Sequence, residues 1–532
     1  LFVAAMYGLV STTDMLWFFF IFWQLMTLPG YTLIRFEAAN PAHARAANRY
    51  LWMMQLACAL TLLGAALLVG APAITAAGEE LVRGDFDAVS HHLPMLLQTD
   101  GVRVAVAFAL FLTGFGIKLG MWPFGAIWLP DAHPAAPSPV SAMLSGVMIK
   151  TGVYGLLRYF LWLVPEEARE FFPAAEWGLA LAVLGTVTLF LGTLRAMFQE
   201  QTKRLLAWSS IGQGGYILLA IGACLALLGL PENRGLGLAS LALLAAIFHT
   251  VNHGLFKSLL FLTAGSLWYR TGTQDLNRLG GAMRYMPGTG VAALLASLSI
   301  AGVPLTNGFA SKWCLVAATL PTAGWIHWLP ACSALAVLTS ALTLAVFVQY
   351  FGAAFLARSH PEAAPHTPRE VPASMLVAQL LPAGLCVFLG LFPGAAFLGI
   401  QAALDQSRQG LALLLADALQ FEGGWWTGIT LSGGHTTLTP LFVVGLMLLL
   451  FVLAAALASW GGSRRRVVRP WLCGYAHRHE GAPYAARHYY GALKSWLRVL
   501  GPKNAPATVP RTSPSKTTLP SGVMQPQSPS DV

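Results

Sequence analysis

Three ionisable side chains recur at a fixed interval inside an apolar run. His249, His253 and Lys257 lie within residues 242–264 at i, i+4 and i+8, a spacing that stacks them along one face of a helix. One ionisable side chain at bilayer depth costs about 2.5–3.5 kcal/mol on insertion scales, so three in a row call for a function. Imidazole changes charge near neutral pH, and lysine acts as a base once desolvated. The chemistry these types suit is proton transfer, and the stripe points to protons, or something coupled to them, crossing a membrane. The plainer reading is a pair of core histidines bridging helices. A metal site lacks ligands, because no carboxylate or cysteine stands nearby in the sequence.

Four lysines fall within apolar segments: Lys118, Lys150, Lys257 and Lys312. Lysines near helix ends usually snorkel to the headgroups, but Lys150 sits mid-segment in SGVMIKTGVYGLLR (145–158). Lys118 and Lys312 each stand beside glycine and proline, in GFGIKLGMWP (114–123) and GVPLTNGFASK (302–312). Paired helices broken this way in two halves of a chain are the mark of inverted-repeat transporters, with the site at the breaks. The freed backbone groups must face protein or water, which implies a hydrated path. The segment WLPDAHPAAPSPVSA (128–142) reads as a rigid proline-rich turn at the cytoplasmic edge, with Ser138 capping the helix that follows. There Asp131 and His133 could feed protons inward or serve only as turn-formers.

The elements that must hold these residues follow from composition. The 532 residues are 56% hydrophobic and 10% charged, against about 25% charged in soluble domains, which makes the chain a polytopic membrane protein. A net charge of +10 is concentrated in alternate loops and the tail, so nucleic-acid binding has little support. The six cysteines (58, 224, 314, 332, 386, 473) are scattered without a CxxC pair and fit neither a cluster nor a zinc site. No P-loop, GxGxxG or nucleophile elbow is present. We read a partial helix at 1–11 and spans near 14–35, 50–70, 98–118, 138–161, 174–198, 206–230, 236–270, 288–317, 326–357, 372–398 and 436–460. The 236–270 run is long enough to be tilted, kinked or divided. Alternation of these spans puts the basic loops after 35, 198, 270 and 357 on one side and the acidic loops 71–97 and 162–173 on the other. The tail falls on the basic side, which places it in the cytoplasm; residues 401–435 fall on the outer face, and 502–532 read as disordered. The sequence opens on Leu1 within an apolar run, from which we expect a further N-terminal portion.

Together, WLPDAHPAAPSPVSA (128–142), SGVMIKTGVYGLLR (145–158), KRLLAWSSIGQ (203–213), residues 249–266 and NGFASKW (307–313) resemble the antiporter-like membrane subunits of respiratory complex I. That family includes the Mrp cation/proton antiporters and the membrane subunits of energy-converting nickel–iron hydrogenases. REVPASM (369–375) and WLCGY (471–475) look most like the hydrogenase-type branch, the formate hydrogenlyase kind of large membrane subunit. The resemblance implies an all-α fold of two inverted five-helix repeats with discontinuous helices, followed by C-terminal helices. The units would be 1–161 (N-terminally truncated), 174–357, 372–460 and a basic cytoplasmic tail, 461–532. It implies a relay in which Lys118 belongs to the first broken helix and Lys150 follows it. His249, His253 and Lys257 would form the central connection, and Lys312 the terminal group. It implies a chain that binds no redox centre itself, set in the inner (plasma) membrane beside other membrane subunits of the same family. A peripheral electron-transfer arm would carry iron–sulfur clusters and flavin or a nickel–iron site. A cation/proton antiporter component and a membrane component of a carbon-dioxide-hydrating complex are the competing readings. One departure stands out: the family's Trp-Glu pair is Trp23-Gln24 here. That glutamate pairs with the lysine at position 118 in the family. Without it, Lys118 is neutral at rest, Asp14 substitutes, or pumping through this half is weakened.

Overall fold

The computed structural model describes residues 1–69, 84–324, 326–357, 369–407, 409–418, 421–422, 429–431, 437–462 and 486–497. Its helices are α1 (Phe2–Ser11), α2 (Trp17–Ile34), α3 (Pro41–Leu68), α4 (Phe86–Thr99), α5 (Gly101–Leu119) and α6 (Gly125–Ala135). Then come α7 (Ser138–Met143), α8 (Lys150–Leu157), α9 (Ala174–Met197), α10 (Thr202–Leu228), α11 (Leu236–Thr271), α12 (Ala282–Tyr285), α13 (Pro287–Ala301) and α14 (Asn307–Thr319). The remainder are α15 (Trp328–Phe351), α16 (Ala373–Leu391), α17 (Pro393–Gln406), α18 (Ala412–Ala418), α19 (Pro440–Trp460) and α20 (Gly491–Trp496). A small antiparallel sheet of β1 (Phe421–Glu422), β2 (Ile429–Leu431) and β3 (Thr437–Leu438) interrupts the helices. Among the described residues ten helices are long and apolar enough to cross a membrane.

Both breaks are real and are built alike. α5 ends at Gly120 with φ +93°, and α13 ends at Gly302 with φ +80°, conformations that glycine adopts without the steric cost of a Cβ. The chain resumes as α6 and α14. At each restart a glycine lies against a carbonyl of the helix just ended. A Cβ on Gly125 would fall 2.0 Å from Gly120 O, and one on Gly308 would fall 1.8 Å from Ser299 O. The second break also holds Leu305 at φ +75°, a strained position for a branched side chain. α7 and α8 form one crossing, residues 138–162, through π-helical turns at Leu144–Met148 and Arg158–Trp162.

Several sequence expectations need correction. Residues 128–135 are not a turn: they complete α6, whose internal Pro130 and Pro134 are tolerated in so short a helix. Ser138 caps nothing; it is the first residue of α7 and its hydroxyl has no partner. Ser141 does the local stitching instead, donating to His133 O at 2.9 Å. The 236–270 run is not divided but one 36-residue helix, whereas 372–398 is two helices that meet at Phe392 and Pro393.

The charged loops sort onto two faces. Asp131 pairs with Arg49 and Arg204, Thr202 N donates to Gln274 O, and Arg270 reaches Glu370 O. The loops after α2, α9, α11 and α15 therefore share one face. On the opposite face Asp14 bridges Asp85, Gln409 donates to Asp87, and Leu411 N donates to Leu161 O. Residues 463–485 and 498–532 of the expected tail lie outside the described residues.

Candidate functional site

α11 carries the stripe into the centre of the protein, where His249, His253 and Lys257 are buried. From His253 the line runs in one direction to Lys150, whose Nζ contacts His253 Nδ1 and donates to Ser145 O at 3.3 Å. The π-helical turn before α8 offers that carbonyl, because it shifts the local hydrogen-bond register. In the other direction the His253 and His249 rings lie nearly parallel, 6.4 Å between centroids. His249 Nε2 donates to Gln213 Oε1 at 3.2 Å, so Nδ1 is left as the acceptor for Ser311 Oγ at 2.9 Å. Ser311 precedes Lys312 on α14. Lys312 folds back across the second break to donate to Ile300 O at 2.9 Å and Ala301 O at 3.4 Å, and sits 4.6 Å from the Tyr216 ring centre. These carbonyls end α13, where the helix dipole favours a cation.

Lys257 does not continue that line. Its Nζ donates to Leu206 O at 2.8 Å and to Ser209 Oγ at 2.5 Å. It turns instead toward α10 and the charged face, so the stripe is a junction with three arms. On that third arm lies Lys203, which the sequence reading left among the loop charges. It is fully buried, donates to Ala136 O at 2.8 Å and sits 4.8 Å from the Trp268 ring centre. Only its position just inside α10, one residue from an exposed arginine, could have flagged it.

Above Lys203 a polar vestibule of about 570 Å³ opens on the charged face, lined by Glu37, His43, Arg49, Asp131, Gln201 and Arg204 among others. The two expected uptake residues part company here. Asp131 is at the rim, engaged with Arg49 and Arg204. His133 is beneath it, fully buried and stacked on Phe261 with 4.5 Å between rings, both of its nitrogens unpartnered.

Lys118 stands apart from this network. It occupies the last turn of α5 and is fully buried. Its Nζ lies 3.4 Å from Met54 Sδ and 4.6 Å from the Trp23 ring centre. Trp23 is itself pinned by an indole N–H donated to Met54 O at 3.1 Å. Gln24 is engaged elsewhere, in a reciprocal amide pair with Gln55 at 2.9 and 2.8 Å. Asp14 does not replace the absent acid. Its carboxylate accepts from Leu16 N and Phe18 N, capping the start of α2, and it belongs to the loop that bridges Asp85. Lys150 has one further neighbourhood, an apolar groove of about 520 Å³ between α1, α8 and α11.

Residues 13–343 match the model of the NADH:quinone oxidoreductase/Mrp antiporter transmembrane family. The chain belongs to this family. It is 32% identical over 500 residues to hydrogenase-4 component B of Escherichia coli (strain K12), across 91% of this chain and 68% of that protein. It is also 32% identical over 436 residues to an Na(+)/H(+) antiporter subunit of Alkalihalophilus pseudofirmus, across 79% of this chain and 50% of that protein. Its fold is similar to a chain of the membrane-bound sulfane sulfur reductase, an archaeal respiratory membrane complex. There the TM-score is 0.71 at 25% identity, covering 93% of this chain and 74% of that one. As a member of the family the chain is a multi-pass, proton-translocating antiporter-like membrane subunit. Among the described residues no group of three or more His, Cys, Asp or Glu is placed to hold a metal ion.

Proposed function

We propose that this chain translocates protons within a hydrogenase-type or NADH dehydrogenase-like oxidoreductase complex, with Lys118, Lys150, His249, His253, Lys257 and Lys312 as its relay. The observation that carries the reading is the run of contacts from Lys150 through His253 and His249 to Ser311, next to Lys312. A histidine that accepts at one nitrogen and donates at the other passes a proton without moving as a body. Protons reach the run from the vestibule by way of Asp131, Lys203, His133 and Lys257. We place the vestibule on the cytoplasmic side of the plasma membrane because that face gathers the basic loops. Residues 1–161 and 174–357 act as the two half-channels, with 372–460 as trailing helices and 461–532 as a cytoplasmic tail. The partners in this reading are further membrane subunits and a peripheral arm. That arm carries the electron-transfer centres (iron–sulfur clusters with flavin, or a nickel–iron site), so charge changes there drive the relay here.

The test uses the intact complex in inside-out vesicles. His249→Ala should lower proton uptake roughly 10²-fold, the loss expected for a positioned acid–base group, while electron transfer in the partners continues. Undiminished uptake overturns the relay. Similarity to an Na(+)/H(+) antiporter protein supports a second reading, exchange without redox partners. Sodium efflux driven by an imposed pH gradient, lost in His249→Ala and needing no electron donor, would favour it.

A further inference from the structure

Arg195 is a cation without an anion. It lies in the last turn of α9, where the chain reaches the charged face. It is half-buried, and among the described residues its guanidinium makes no ion pair and no hydrogen bond. Glu200, the carboxylate nearest in sequence, accepts from Asn277 Nδ2 at 2.8 Å instead. What holds Arg195 is aromatic. Its Cζ lies 6.0 Å from the Trp122 ring centre and 5.9 Å from that of Trp208, and the two rings are 6.3 Å apart. The guanidinium caps a pair of indoles, a cation–π arrangement that steadies the side chain but satisfies none of its five N–H donors. Trp208 adds a sixth, because its indole N–H is buried and meets no acceptor.

The clamp stands at the border of the lipid-facing wall. Leu179, Val183 and Val187, earlier on α9, are between 39% and 44% exposed. Thr188 and Arg195 are seven residues apart and share a face of that helix. Thr188 Oγ1 accepts there from Trp122 N at 3.1 Å. Trp122 is half-buried and Pro123 beside it is exposed, and none of the three clamp residues lines the proton vestibule. Arginine and tryptophan near a helix end sit at the depth of lipid headgroups.

From this geometry we propose that Arg195, Trp122 and Trp208 bind the phosphate of an anionic phospholipid at the charged face. The planar guanidinium fork matches two phosphate oxygens, and the same group offers the Trp208 N–H its missing acceptor. A net negative headgroup suits the site better than a zwitterionic one. The indoles are already capped by the guanidinium, which leaves no aromatic cage for a quaternary ammonium, and Lys203 and Arg204 follow on α10. Basic pockets between helices at a membrane surface recognise acidic headgroups in this way.

The site touches two parts of the route. Trp122 stands inside the first break, between Gly120 and Gly125. Trp208 precedes Ser209, which accepts from Lys257 at 2.5 Å. A bound phosphate fixes Arg195 and, through it, both indoles. This consequence rests on the relay proposed above, whereas the binding does not.

The test places the intact complex in nanodiscs containing a phosphatidylglycerol that carries a diazirine beside its phosphate. Photolabelling should fall on the segments around Trp122, Arg195 and Trp208. Excess phosphatidylglycerol should compete it away, and phosphatidylcholine or inorganic phosphate should not. Arg195→Gln should lower labelling roughly tenfold, as expected for loss of a hydrogen bond to a charged group. Trp208→Phe, which keeps a ring and removes the N–H, should lower it less. Absent labelling, or full labelling in Arg195→Gln, overturns the site. Equal competition by phosphatidylcholine reduces it to annular lipid, and competition by inorganic phosphate makes it a site for free anions; either overturns the proposal. If Arg195→Gln does not assemble, the competition series on the wild-type complex decides. Proton uptake in proteoliposomes should be higher in phosphatidylglycerol than in phosphatidylcholine, and the difference should vanish in Arg195→Gln. Equal uptake in both lipids with labelling intact overturns the coupling to the relay. Failure of the relay itself, read from His249→Ala, would leave the labelling unchanged.

Discussion

His249 ties three helices together, because its nitrogens on α11 face two others: Gln213 on α10 and Ser311 on α14. Gln213→Leu removes the acceptor that fixes the tautomer but leaves the ring in place. We expect uptake to fall while the assembled complex keeps its thermal stability, measured by vesicle fluorescence and a melting curve side by side. Lys203 is a different kind of case. Lys203→Met retains the length of the side chain and removes the charge. Uptake from the vestibule side should drop at least tenfold, while hydrogen exchange of α10 stays unchanged. An unaltered rate would return Lys203 to a structural role, holding Ala136 and Trp268 together.

At the level of helices, α13, which ends at the second break, is held at its other end by a residue far from it in sequence. The Glu370 carboxylate accepts from Gly288 N, Thr289 N and Thr289 Oγ, and so caps α13 from the strand of chain before α16. Partial burial pushes its pKa up. The hydrogen bonds from Thr289, Val371 and Gly288 outweigh that and hold it below the usual carboxylate range. Its folded pKa is thus depressed, so its contribution is present above the unfolded value near 4.3 and is lost as pH falls through the folded one. Glu370→Gln should cost roughly 1 kcal/mol, as lost caps do, and should abolish that acid-range slope in a melting-temperature profile. Gly308→Ala tests the break directly. With Ser299 O only 1.8 Å from the added carbon, α13 and α14 must separate, and both assembly yield and uptake should fall.

These elements also mark what could be read from sequence. Glycine beside proline announced both breaks, and the 249–257 spacing announced the buried stripe, because backbone freedom and helical period are local properties. α6 was misread since its two prolines fall in a short helix whose stability comes from packing. Trp128 is buried there and donates to Ile117 O. The turning away of Lys257 and the burial of Lys203 were not legible. Both depend on which face of α10 meets α11, a tertiary fact with no local signature when α10 is buried all round. The Gln24–Gln55 pair was equally hidden, being set by the register of two helices.

Across the whole molecule, the tail returns to the charged face. Residues 486–497 dock there, with Arg487 N donating to Asn277 and Lys494 reaching Gln349 Oε1 at 3.2 Å and Ala486 O at 3.4 Å. Burial pulls the Lys494 ammonium down to about 8, partly opposed by Glu200. A lysine whose folded pKa lies below its unfolded value binds fewer protons when docked. Docking should therefore strengthen as pH rises from about 8 toward about 10.4, and hold a constant, weaker level below about 8. The protection of the 486–497 amides, hydrogen exchange taken relative to the intrinsic rate at each pH, should rise over that window, and Lys494→Met should flatten the dependence.

One helix sets the mechanical character of the protein. α10 has its membrane-spanning stretch wholly enclosed by its own chain, whereas only a third of α2's is covered. Bilayer thickness acts on a protein through the helices that touch lipid. We expect a thinner or thicker membrane to tilt α2 and α3 around Lys118 while leaving α10, with Ser209 and Lys203, undisturbed. In the proposed relay that separates a leg sensitive to the composition of the membrane from a leg insulated from it, and makes lipid acyl length a handle on one half of the route at a time.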